Sequence, residues 1–324
     1  MTRTKVSAEQ AALHDQLGVK LFTPPPADFN PLTASDRELL VHGFPGRPDA
    51  RTEPKLAARW QKMMSRQWTF VQPEFELVPG VMHGPRQPAT AGETELTGIT
   101  ASSANWSGAV VYPASGDRVN SVAGEWSVPA EFAEGSFGTK VYGSQWIGID
   151  GDVSPDVLQA GTETDYTIIS GNSHSSTTYA WWEWYPADSV KVKNLGVNRG
   201  DAMYCLICVN SPTKATIFLG NVTTGAMTSF NIDAPSGTSL VGNCAEWIVE
   251  SPTVGGTQTT VGPYGIVYFD DAFASTGNRA SLDGGNANKL YDMVQSGVVL
   301  SSPKELGTGA LKVNYEPVRG HPTS

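Results

Sequence analysis

From Ala101 onward the sequence falls into short runs rich in Val, Ile, Trp, Tyr and Thr, and that succession limits the fold more than any other feature. The runs are Ala109–Tyr112, Val119–Val128, Val141–Ile149, Val157–Tyr166, Tyr179–Tyr185, Ala202–Val209, Ala215–Asn221, Ser229–Ile232, Ala245–Glu250, Gly265–Ala272, Met293–Leu300 and Leu311–Tyr315. Gly, Pro, Asn, Asp and Ser separate them, drawn from a stock of 34 Gly and 22 Pro. Only 17% of residues are charged, fewer than the exposed faces of a helical protein need. Short strands with turns at this spacing specify an all-β sandwich or barrel, and no helical period exceeds two turns after residue 100.

Residues 1–100 read as an N-terminal extension, mostly irregular with short helices, ahead of a β-domain over 101–324. Pro24-Pro25-Pro26 and Pro31 mark extended chain. Ser35 with Glu38 offers a capping box before Leu39-Leu40, and Gly43 stops that helix. Glu53–Arg66 carries Leu56, Trp60, Met63 and Met64 at helical spacing, a second helix. The Gly/Pro/Thr-rich stretch Val78–Gly92 reads as a linker. The extension is an arm packed on the main domain or a cleavable prosegment.

Parity along the strands separates two kinds of face. In Ala180–Tyr185, Trp181, Glu183 and Tyr185 share one side and Trp182 and Trp184 the other. Gln159, Gly161 and Glu163 share a face in the strand beginning at Val157, and Glu246 faces away from Trp247 and Val249. If these three strands are neighbours, their less bulky faces build a cleft lined by Gln159, Glu163, Trp181, Glu183 and Glu246. An ordinary solvent face is the competing reading.

Charge narrows the partners. The net charge of −10 lies wholly in residues 101–324, and seven acids fall between Lys140 and Lys191 with no Lys or Arg among them. Such a surface repels phosphate backbones, so no nucleic acid is expected. It is either an ordinary solvated acidic face or that of a protein working at low pH, where protonation relieves the self-repulsion. No run reaches membrane-spanning length and the first ten residues hold no apolar leader core, so neither membrane nor secretory signal is expected, and the expected state is a monomer. Cys205, Cys208 and Cys244 are too few for a zinc site, and either one disulfide involving Cys244 or buried free thiols fits them. Asp150-Gly151-Asp152 lacks the further acids of a calcium loop.

Several of these segments resemble the glutamic peptidases (eqolisins, peptidase family G1). They are Ser103-Ala-Asn-Trp-Ser-Gly-Ala-Val110, Trp146-Ile-Gly-Ile-Asp-Gly-Asp152, Leu158-Gln-Ala-Gly161, Ala180-Trp-Trp-Glu-Trp-Tyr-Pro186 and Asn243-Cys-Ala-Glu-Trp-Ile-Val-Glu250, followed by Met293–Leu300 and Leu311–Tyr315. They stand in family order over about residues 101–316; the first hundred residues lie outside. The resemblance implies an antiparallel two-sheet β-sandwich of the concanavalin A-like, lectin-like kind with a cleft on its concave face. It further implies an acid-active endopeptidase without metal or cofactor, acting on polypeptides and secreted. Gln159 matches the family's catalytic glutamine and Glu246 its catalytic glutamate. Glu163 stands where family members have Asp, Trp181 and Glu183 match cleft-lining residues, and Asp150 or Asp152 matches a supporting acid; these five and Tyr185 are the expected substrate-binding residues. Tyr185–Leu195 matches a flexible hairpin over the cleft. Two cysteines of the fungal members are missing.

The residue types suit amide hydrolysis by direct attack of water, which needs a base, a donor for the developing oxyanion and an acid for the leaving amine. Glu246 can hold and return one proton at acidic pH, and Gln159 offers an N–H donor that does not titrate. The chain has five His, none in the matched segments. A carbohydrate-binding lectin-like module, with Trp181 stacking on sugar rings, and an inactive peptidase relative are the alternatives.

Overall fold

The computed structural model describes residues 6–89, 99–130, 138–170 and 173–316. The extension supplies α1 (Ala8–Gln16), β1 (Val19–Leu21), α2 (Asp36–Val41), α3 (Pro54–Met64), β2 (Thr69–Phe70), β3 (Phe75–Val78) and β4 (Val81–Met82). The main domain follows with β5 (Thr100–Ser103), β6 (Trp106–Val111), β7 (Val119–Ser127), β8 (Lys140–Asp150), β9 (Val157–Ser170), β10 (Ser173–Trp184), β11 (Ser189–Val192), β12 (Ala202–Ser211) and β13 (Lys214–Asn221). Then come β14 (Ala226–Asp233), β15 (Ala245–Glu250), β16 (Thr253–Val254), β17 (Thr257–Gln258), β18 (Ile266–Thr276), β19 (Ser281–Asp283), β20 (Lys289–Gln295), β21 (Val298–Gly307) and β22 (Ala310–Tyr315).

Antiparallel pairing runs β11-β10-β9-β8-β15-β6-β20 in one layer and β22-β18-β7-β12-β13-β14 in the other. Strand β21, paired with both β20 and β22, joins them at one edge. The two-layer β-sandwich read from the sequence is the fold observed. Between the layers Ile147, Leu158, Trp182, Trp184 and Trp247 meet Val122, Trp126, Ile207, Ile217 and Phe269. Alternation decides this: Trp182 and Trp184 of β10 and Trp247 and Val249 of β15 point inward, and Trp181, Glu183 and Glu246 point outward from the first layer.

The extension is woven into both layers rather than standing apart. Strand β3 pairs with β11 (Val192 opposite Phe75), and β1 and β2 both pair with β14. Helix α2 has the expected capping box, with Ser35 and Glu38 each bonding the other's backbone. Helix α3 buries Trp60, Met63 and Met64 against Tyr204, Phe218 and Met227 on the outside of the second layer. Helix α1 was not foreseen, since it buries only His14 and so carries no apolar stripe.

Two expectations need correction. The stretch Val78–Gly92 is no bare linker: Val81 and Met82 pair with Val254 and Thr253, and the chain continues across the outside of the first layer as residues 83–87. Gly and Pro there disfavour regular structure, yet they do not prevent packing; residues 90–92 lie outside the described residues. Nor is Tyr185–Leu195 a loose hairpin, because β11 is paired on both sides, by β10 and β3, and Val190, Val192 and Leu195 are buried in the core. All three cysteines are free thiols, Cys205 and Cys244 fully buried.

Candidate active site

Strand register arranges the outer face of the first layer in three rows. One row runs Glu183, Gln159, Gly148, Glu246, Val110 across β10, β9, β8, β15 and β6. The next runs Trp181, Gly161, Trp146, Ile248, Gly108, and the third Tyr179, Glu163, Ser144, Glu250, Trp106. Strands lie about 4.8 Å apart, so the backbones of Gln159 and Glu246, two strands apart, are separated by roughly 10 Å. Gly148 lies between them. A Cβ built on Gly148 would come within 2.8 Å of Glu246 Oε1, so the carboxyl leans over this glycine toward Gln159. A methyl group at position 148 would therefore displace the Glu246 carboxyl.

The face is sealed from solvent, with Gln159, Glu163, Trp181, Glu183 and Glu246 each 0% exposed. Gln159 Oε1 and both Glu246 carboxyl oxygens meet no N–H or O–H donor among the described residues. Burial pushes Glu246 well above the usual carboxylate range, nearby Asp150 adds to this, and the Cys244 thiol only partly offsets it. Burial likewise raises Glu163 to about 8 and Glu183 to about 7, the latter opposed by hydrogen bonds from His83. Glu250, which accepts from Trp146 Nε1 at 2.8 Å and Asn105 Nδ2 at 3.3 Å, is also pushed well up by burial.

What covers the face is the chain's own residues 83–87. The Gln159 side-chain amide donates to the His83 carbonyl. The His83 ring stacks on Trp181 with centroids 3.6 Å apart, and its nitrogens meet Glu183 at 3.1 Å and Glu163 at 3.0 Å. Trp106 Nε1 donates to the Gly84 carbonyl at 3.1 Å, and Asn105 Nδ2 to that of Pro85 at 3.2 Å. Arg86 bonds Asp152 at 2.6 Å, and its backbone N–H donates to Gly151. Anchored over β9 and β10 at one end and by β6 at the other, this strap passes over β8 and β15.

The expected site residues divide accordingly. Gln159, Glu163, Trp181, Glu183 and Glu246 share the face, and the Tyr185 ring packs near Gly84. Asp150, fully buried with φ at 73°, spends its oxygens on the backbone N–H groups of Val241, Gly242 and Asn243, holding the segment that leads into β15. It is thus placed to fix Glu246 rather than to touch a ligand. Asp152, by contrast, meets the strap.

The peptidase A4 family profile matches residues 104–315, about two thirds of the chain. The chain belongs to the peptidase A4 family. It is a hydrolase, a glutamic endopeptidase. Aspergillopepsin-2 of Aspergillus niger is 30% identical over 224 residues, covering 63% of this chain and 75% of that protein. Scytalidopepsin B of Scytalidium lignicola is 29% identical over 189 residues, 55% of this chain and 66% of that one. Among solved structures, scytalido-glutamic peptidase with a peptide-based transition-state analogue superposes with a TM-score of 0.55 at 24% identity, covering 66% of this chain and 98% of that one. His83 and Arg86 lie in the stretch read as a linker, outside the segments that resemble the family, so the sequence reading passed over them. Glu250 was missed despite a usable signal: it lies four residues beyond Glu246 in one strand and so shares its face.

Proposed function

We propose that this family member hydrolyses peptide bonds of unfolded polypeptides at acidic pH through Gln159 and Glu246, acting as a monomer on neither nucleic acid nor membrane. The observation that carries this reading is that the Gln159 amide donates to a main-chain carbonyl while the Glu246 carboxyl leans toward it over Gly148. Glu246 takes a proton from the attacking water and returns it to the leaving nitrogen; Gln159 stabilises the negative charge that grows on the carbonyl oxygen. Under the strap, burial holds Glu246 as the acid. Once water and substrate replace the strap that penalty falls, and a solvated carboxyl, titrating near about pH 4, is ready as a base in weak acid. A lectin-like role has no use for Glu246, and Trp181 here stacks on an imidazole of a polypeptide.

The test is to incubate the full-length chain with acid-denatured haemoglobin at pH 3, 4, 5 and 7. Cleavage in acid that fades toward neutrality is expected; an absence of cleavage at every pH would overturn the proposal.

A further inference from the structure

The catalytic scheme leaves two strap side chains without a role, His83 and Arg86, and each sits in a tailored pocket. We propose that the outer face of the first layer holds an imidazole slot for the residue just before the scissile bond and a guanidinium pocket for the third residue after it, so that the peptidase favours His-x-x-Arg sequences. This rests on the reading of Gln159 as donor to the scissile carbonyl. Because Gln159 donates to the carbonyl of His83, the His83–Gly84 bond occupies the reacting position and Arg86 is the third residue beyond it.

The first pocket matches an imidazole on three sides. Its floor is the Trp181 ring, 11° from coplanar with His83. Its ends are two carboxyls, Glu183 at 3.1 Å from Nδ1 and Glu163 at 3.0 Å from Nε2, all three groups fully buried. Glu183 also accepts from the His83 backbone N–H at 3.0 and 3.1 Å, which fixes the register of the chain in the slot. A Phe would stack on Trp181 but leave both carboxyls without its donors. A Lys would reach one carboxyl and lose the stacking. Only a flat ring with a nitrogen at each end meets all three groups, and a site built for such hydrogen bonds rejects side chains lacking them.

The second pocket binds a guanidinium. Asp152, with a side chain 1% exposed, accepts Arg86 Nε at 2.6 Å on one oxygen and the Tyr112 hydroxyl at 2.5 Å on the other. The guanidinium carbon lies 4.9 Å from the Tyr291 ring centroid, within cation–π range. Between the pockets, the carbonyls of Gly84 and Pro85 accept from Trp106 and Asn105, so the two intervening residues are held through main-chain groups.

The test uses the full-length chain at acid pH with a synthetic peptide of the sequence of residues 78–87 and three analogues, carrying Ala or Phe in place of His83, or Ala in place of Arg86. Cleavage between His and Gly is expected, with kcat/KM lower by about 100-fold for either His replacement and about 10-fold for the Arg replacement. In an Asp152→Asn enzyme the Arg discrimination should vanish and the His discrimination remain. A parallel digest of denatured casein separates the outcomes. Casein digestion with all peptides cleaved alike, or none cleaved, overturns the pockets and leaves the peptidase reading standing; no digestion of casein overturns both.

Discussion

Glu246→Gln is expected to lower kcat/KM on denatured casein by at least about 1,000-fold, at the upper end of what removing a positioned acid–base group costs. The amide is nearly the same shape and cannot take a proton from water. In the folded chain burial already holds Glu246 in its protonated form, so the neutral amide is a close electrostatic copy and the melting temperature at pH 4 should stay within a few degrees. Gln159→Ala should cost about 100- to 1,000-fold, the usual loss when one oxyanion donor is removed. Initial rates together with thermal melts read both effects; a large drop in melting temperature in acid would assign Glu246 to the fold instead of the reaction.

The second large effect is on stability. Burial raises Glu163 to about 8, Glu183 and Asp165 to about 7, and Glu246 and Glu250 well above the usual range. In the unfolded chain the same groups titrate near about pH 4. Between those values the folded protein keeps protons that the unfolded chain releases, so unfolding is favoured as pH rises. Stability from these groups is thus complete below about pH 4 and is lost as pH climbs through 7 and 8. The melting temperature should fall by roughly 10 °C between pH 4 and pH 8, the equivalent of a few kcal/mol for a chain of this size. Differential scanning calorimetry at several pH values checks this, and Glu163→Gln should flatten the slope. A melting temperature that climbs with pH would contradict the buried arrangement of these acids.

The sandwich and its two faces were legible because alternation is a local property. Period two in Ala180–Tyr185 and Ala245–Glu250 fixes which side chains meet the core, whatever the strands' partners. That Glu183, Gln159 and Glu246 fall in one row needed more than periodicity, since it depends on β10, β9, β8 and β15 being neighbours; the resemblance to glutamic peptidases implied a shared cleft, and the strand pairing shows the order. Gly148 shows the limit: as a sequence position it is one glycine of many, and its purpose appears only when the Glu246 carboxyl is seen to lean over it. The strap was illegible for a similar reason. Met82-His83-Gly84-Pro85-Arg86 has the composition of a linker, and nothing local reveals that its ring finds a tryptophan and two carboxyls about a hundred residues away.

The most direct test of the Gln159–Glu246 pairing is a double-mutant cycle on kcat/KM with Gln159→Ala, Glu246→Gln and the combined variant. Groups that act on the same transition state as a unit lose their effect together, so the combined variant should be no slower than Glu246→Gln alone, within about three-fold. Losses that multiply, or acid proteolysis that persists in the combined variant, would contradict it.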